Sequence, residues 1–123
     1  MKAELWGWGR YPRALCRVHA PRDRAELARA VAAGPVIARG AGRAYGDAAL
    51  QPDGTVSTRQ LNRFLVFDAE EGLLTAEAGV MLSDILEVLI PRGWFPPVTP
   101  GSKFVTLGGM IAADVHGKNH HRA

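Results

Sequence analysis

At 123 residues and 47% hydrophobic, the chain suits one small domain or part of a larger one and carries enough apolar side chain for a real core, which excludes a disordered segment. The net charge of +3 comes from twelve arginines and three lysines scattered along the chain, the pattern of a solvated surface rather than of a nucleic-acid interface. Cys16 is the single cysteine, so an internal disulfide is excluded and a packed, inert thiol is expected.

The start, "MKAELWGWGR", has no apolar run of signal-peptide length, and no later stretch reaches the ~20 apolar residues of a membrane span, so a cytoplasmic location is expected. The first predicted element is a helix in "PRDRAELARAVAAG". Asp23 is placed to cap it, Glu26 follows at capping-box spacing, Leu27, Ala30 and Val31 form the apolar stripe, and Gly34 supplies the stop. "PVIAR" reads as a short strand and leads into the glycine-rich "GAGRAYGD". "GTVST", "RFLVFD" and "LLTAEA" are three further strands, the last two forming a hairpin around "DAEEG". In "VMLSDILEVLIP", Leu82, Ile85, Leu86 and Leu89 recur at i, i+3, i+4, i+7 and predict a helix with one buried face. From Pro91 a proline-rich loop passes into Gly108-Gly109 and a run of small residues. The order describes a mixed α/β pattern, too short for a complete doubly wound sheet.

Two loops have the chemistry of an anion cradle. In Arg39-Gly40-Ala41-Gly42-Arg43-Ala44-Tyr45-Gly46-Asp47, three glycines permit positive φ and can gather backbone N–H groups into a nest for phosphate oxygens, with Arg39 and Arg43 adding charge. Tyr45 stands where a Rossmann fingerprint needs its third glycine, and no Gly-Lys-Ser/Thr occurs, so neither the dinucleotide motif nor the P-loop is present. The plain alternative is a tight turn after a strand. In "TPGSKFVTLGGMIAAD", Gly101, Ser102 and Thr106 offer donors, Gly108 and Gly109 admit a close backbone, and the residues from Met110 to Ala113 supply an apolar wall. The plain alternative there is a turn entering a packed helix. Two such loops in one short chain point to a long ligand with a diphosphate in its middle.

The run "HGKNHH" places His116, His120 and His121 within six positions. On a helix His116 and His120 would share a face, as zinc ligands do, but Gly117 and Asn119 resist helix and no Glu stands between the histidines. No metal site is therefore expected. The cluster is either a structural turn or the lining of a ligand site, where imidazole can donate, accept or carry a proton.

Together, "VIARGAGRAYGD", "TAEAGVMLSDILEVLIPRGWFPPVTPG" and "VTLGGMIAADVHGKNHH" resemble the FAD-binding domain of the vanillyl-alcohol oxidase / p-cresol methylhydroxylase flavoprotein family, in order and spacing as well as residue type. "GWGRYP" and "HGKNHH" favour its branch of bacterial sugar-oxidising, FAD-linked oxidases. The resemblance implies an α+β fold of p-cresol methylhydroxylase type. The first subdomain is expected at about residues 20–100 and the start of the second at 101–123, truncated before the substrate domain.

By position, the resemblance implies that Ala38, Arg39, Gly40, Ala41, Gly42, Arg43, Ala44, Tyr45, Gly46 and Asp47 wrap the FAD pyrophosphate, and that Gly101 and Ser102 continue the cradle. Thr106, Gly108, Gly109 and Ala113 would line the flavin and diphosphate path. His116 would lie beside the isoalloxazine ring as the catalytic candidate, with Lys118 close by, helping to bind flavin or to hold the loop. Family members with covalent FAD often carry His just after the second glycine of the first loop; here that residue is Arg43, so non-covalent FAD is expected. The implied activity is oxidation of a sugar or polyol hydroxyl, with the chain inactive alone. Oxygen, a quinone or a partner reductase is compatible as acceptor. An aldonolactone or alditol oxidase and a non-catalytic FAD- or nucleotide-binding module are the alternatives.

Overall fold

In Lys2–Trp6 (β1) and Arg13–His19 (β2) alternate side chains turn inwards, which leaves Cys16 fully buried in β2. The two strands pair antiparallel, with Lys2 opposite Arg17 and Trp6 opposite Arg13. The computed structural model describes residues 1–97 and 99–114, and the chain divides into two compact units, Met1–Leu61 and Asn62–Ala123.

The first unit continues with α1 (Arg24–Ala32), β3 (Ile37–Arg39) and β4 (Thr55–Ser57). Its sheet runs β1-β2-β4-β3, and β4 pairs parallel to both β2 and β3. Flanked on both sides, β4 is the most deeply buried strand. Val56 is 3% exposed and Thr55 fully buried, with the Thr55 hydroxyl donating to Gln51 O at 2.8 Å and accepting from Gln51 N at 3.0 Å. A buried hydroxyl satisfied in this way is tolerated in a core. The Asp23 carboxylate accepts from Glu26 N at 2.8 Å and caps α1 as predicted, while the Glu26 carboxylate takes Arg22 Nε at 3.1 Å. The expected apolar stripe is narrower than its spacing implies. Ala30 is buried and Leu27 half-buried, but Val31, one residue further round the helix, is 55% exposed.

The second unit is built on a hairpin, β5 (Phe64–Asp68) and β6 (Leu73–Ala76), with the predicted turn between them. Asp68 Oδ1 accepts from Glu70 N and Glu71 N at 3.0 and 3.1 Å, and Gly72 closes the turn at φ +69°. At the open end, Arg63 and Glu77 exchange backbone and side-chain bonds, including an ion pair of 3.1 Å. The apolar face of α2 (Leu82–Leu89) packs into a core of Val80, Leu82, Ile85 and Leu89, with Phe67, Leu74, Trp94, Val105 and Met110 against it. A 3₁₀ turn (Ile90–Arg92) and left-handed Gly93 end this helix, and α3 (Leu107–Ala112) closes the described part of the unit. No helix among the described residues is long and apolar enough to cross a membrane.

Truncating Ile85, 4% exposed at the centre of this core, leaves a cavity. Ile85→Ala is expected to lower unfolding free energy by about 2–5 kcal/mol. Val31→Ala is expected to stay within about 0.5 kcal/mol of the parent, since that side chain faces solvent. Urea unfolding of the two variants measures the difference.

Candidate functional site

The glycine loop begins where β3 is made to stop. The Arg39 carbonyl accepts from Thr58 N at 2.9 Å and from the Thr58 hydroxyl at 3.3 Å, which fixes the last rung of the parallel ladder. Gly42 and Gly46 then take positive φ, +76° and +55°, whereas Gly40 does not. Two of the three glycines therefore supply the conformation that the nest requires. Among the described residues, no backbone N–H of residues 40–47 donates to a backbone carbonyl, so these donors stay free for a ligand.

Arg39 lies beneath this loop. Its Nη2 donates to the Trp6 carbonyl at 2.7 Å, and a Cβ added at Gly42 would approach the same Nη2 to 2.7 Å. Nη1 is buried with no hydrogen-bond partner. Burial lowers the Arg39 pKa from its ordinary value, with Cys16 acting in the opposite direction, yet a guanidinium stays charged at any physiological pH. A half-buried cation with one buried, unpaired donor beside free N–H groups suits an anion. Arg43 is exposed and its Nη1 donates back to the Ala41 carbonyl at 3.2 Å. Ala38, Tyr45 and Asp47 are exposed, while Gly40, Ala41 and Ala44 are half-buried.

The second loop is held mainly by backbone bonds. Leu82 N donates to Val105 O and Ser83 N to Lys103 O, and on the far side Leu107 N donates to Val80 O and Gly108 N to Ala78 O. Ser102 Oγ accepts from Phe104 N at 3.1 Å, and Gly101 is exposed. Thr106, 2% exposed, caps α3 by accepting from Gly109 N at 3.1 Å. A Cβ at Gly108 would lie 3.0 Å from that of Ala78, so this glycine lets the helix start press on the end of the hairpin. Gly109 and Ala113 are exposed. The expected apolar wall is divided: Met110 turns into the unit's own core and Ile111 is 75% exposed. Periodicity explains this, since adjacent helical residues point about 100° apart.

Each loop is built within its own unit. His116, Lys118, His120 and His121 lie outside the described residues. Sequence reasoning assigned no site role to residues 6–8, although they touch the first loop: Trp6 O receives Arg39, Trp8 N donates to Ala44 O at 2.8 Å, and Gly7 packs against the loop carbonyls. The signal available was a glycine on either side of Trp8. A cavity of about 330 Å³ opens between the end of β2 and α1, beside His19, Pro21 and Arg29. None of the predicted site residues borders it.

A parallel pair joined through a glycine loop with free amides, above a half-buried guanidinium whose Nη1 has no partner, is an α+β arrangement suited to an anion. Residues 13–123 match the profile of the FAD binding domain family, and the chain belongs to that family. It is 40% identical over 126 residues to decaprenylphosphoryl-β-D-ribose oxidase of Mycolicibacterium smegmatis, covering 97% of this chain and 27% of that protein. It is 36% identical over 77 residues to L-gulonolactone oxidase of Scyliorhinus torazame, covering 63% of this chain and 18% of that protein. Among solved structures, cholesterol oxidase from B. sterolicum superposes with a TM-score of 0.78 at 18% identity, over 95% of this chain and 24% of that one. The chain thus spans about a quarter of the length of its long relatives. The fold is that of the FAD-binding domain of vanillyl-alcohol oxidase / p-cresol methylhydroxylase type, and FAD is the cofactor, as the motifs imply.

The residues present fit that cofactor: the orphaned Arg39 Nη1 and the free amides suit a diphosphate, and Gly42 keeps the cradle open. Gly42→Ala would place a Cβ against Arg39 Nη2 in a left-handed conformation that costs about 1–2 kcal/mol. FAD affinity, read from flavin fluorescence quenching, is expected to fall about tenfold or more.

Proposed function

We propose that the chain is the N-terminal FAD-binding part of an FAD-dependent oxidoreductase that oxidises a sugar or polyol hydroxyl. The observation that carries this reading is the 40% identity to a ribose-oxidising enzyme, spread over 97% of the chain. The same reading keeps the subdomain division at about residue 100 and a cytoplasmic location as parts of the proposal.

In this reading, Arg39 and the amides of residues 40–47 hold the FAD diphosphate by charge-assisted hydrogen bonds. Gly101, Ser102, Thr106, Gly108, Gly109 and Ala113 continue the path. Bound FAD would supply the two-electron oxidation chemistry for the carbon that bears the hydroxyl. His116 is assigned the place beside the ring, where its imidazole takes the hydroxyl proton or orients the substrate, and Lys118 supports that position. Substrate recognition is assigned to protein outside these residues, because the chain spans only 27% of the related oxidase. The acceptor is oxygen, a quinone or a partner reductase.

A second reading, an aldonolactone oxidase, is favoured by the 36% identity to L-gulonolactone oxidase. Protein purified from its own cells through an antibody to this chain separates the two with a redox dye. Dye reduction with a polyprenylphosphoryl ribose, and not with an aldonolactone or an alditol, is expected. Preference for the lactone or the alditol overturns the substrate assignment, and no reduction with any of them points to a non-catalytic flavin-binding module. The 123-residue chain alone is expected to bind FAD without reducing the dye.

Arg43 stands where covalent relatives carry the histidine that bonds the flavin, and its guanidinium is folded back on Ala41 O. Flavin attachment is therefore proposed to be non-covalent. Acid precipitation of the FAD-loaded protein is expected to release all of the yellow colour to the supernatant. Flavin retained in the pellet would mean another residue makes the bond.

A further inference from the structure

We propose that Gly7, in the connection between β1 and β2, is a positioning residue for the glycine loop of residues 40–47 and, through it, for the diphosphate of FAD. The inference rests on the FAD reading of that loop.

Three consecutive residues hold the loop from one side. The Trp6 carbonyl accepts from Arg39 Nη2 at 2.7 Å, beneath Gly42. The Trp8 N–H donates to the Ala44 carbonyl at 2.8 Å. Between them Gly7 is buried, and a Cβ there would run into the Ala44 carbonyl oxygen and come within 2.7 Å of the Gly46 carbonyl oxygen. Both obstacles are backbone, so neither can move without moving the loop. The glycine is required here for space: Gly7 is not among the residues at positive φ. Gly9, two residues further along the same connection, has nothing within 4 Å of its added Cβ.

The chemistry follows from what the contacts use up. Carbonyl oxygens repel phosphate oxygens, and N–H groups attract them. The connection takes the Ala44 and Gly46 carbonyls onto its own side, while the N–H groups of residues 40–47 keep no backbone partner. Trp6 is itself held, with the Arg13 guanidinium 4.8 Å from its ring centroid. The connection also lies before residue 13, where the family profile begins, so family membership by itself assigns it nothing.

Gly7→Ala is expected to weaken FAD binding about tenfold, read by flavin fluorescence, while Gly9→Ala binds as the parent does. A strained loop also costs stability, so a matched control is needed. Val56→Ala, at a buried position of β4 in the same unit and outside residues 40–47, destabilises without altering a loop residue. It is expected to keep its FAD affinity at a temperature where it is folded. Amide NMR gives a readout that needs no flavin: Gly7→Ala shifts the signals of residues 40–47, and Gly9→Ala leaves them in place. Equal affinity in the two glycine variants, or a loss in Val56→Ala as large as that in Gly7→Ala, overturns the positioning role. A parent chain that binds no FAD takes down the cofactor role of this loop in the chain alone. The amide shifts then decide the geometric claim: unmoved signals in Gly7→Ala overturn it, and moved signals sustain it.

Discussion

The first unit depends on how Arg39 is spent. Its carbonyl is the last acceptor of the β3–β4 ladder, taken by both polar groups of Thr58, and its guanidinium runs back under the loop that follows to hold Trp6 at the end of β1. One residue thus ties the edge strand β3, the central strand β4 and the β1–β2 connection to a single point. The arrangement leaves Nη1 buried without a partner. A buried donor left unpaired costs about 1–3 kcal/mol, and more when charged, so an anion reaching Nη1 would offset that cost.

The second unit solves a different problem. Its hairpin has only two strands, and such a pair is marginal in water without something packed on it. The apolar face of α2 supplies the cover, and the return segment from Lys103 to Gly108 locks onto both ends of the covered region by backbone bonds. Thr106 and Gly108, implied by resemblance to line the ligand path, carry structural duties at the same time. Thr106 caps α3, and Gly108 removes the side chain that would push the helix away from Ala78. Changing either therefore tests folding and binding together, whereas the exposed Gly109 and Ala113 carry less of the packing.

Legibility in the sequence followed the strength of the local signal. The Asp23 cap, the Asp68–Gly72 turn and the heptad-like run of α2 each rest on contacts a few residues apart, so spacing alone predicts them. The strands β1 and β2 have no counterpart among the predicted elements. Their side chains alternate inwards and outwards, but between them they contain one β-branched residue, Val18, and the pairing that stabilises them is non-local. In the loop of residues 40–47 the glycines signalled a backbone of unusual conformation, and Gly42 and Gly46 adopt it. The loop's dependence on Gly7 was not legible, since a contact across more than thirty residues leaves no periodicity.

The distribution of charge bears on which anion the loop takes. Fifteen basic residues are scattered along the chain, and Arg43, though in the loop, is exposed and folded onto Ala41. The loop therefore does not gather charge as a polyanion site does; one guanidinium is under it, and the remaining donors are neutral amides. That ratio suits a diphosphate esterified on both sides, whose charge is spread over the oxygens of two phosphoryl groups and whose binding depends on donor geometry more than on net attraction. Free phosphate, smaller and more heavily charged, would gain more from a cluster of lysines than from a shaped row of N–H groups. The shape in turn rests on Gly42, Gly46 and the carbonyls held at Gly7. On the proposed reading of this loop, specificity for the cofactor would be a property of the backbone path, with Arg39 supplying the one fixed charge around which that path is wound.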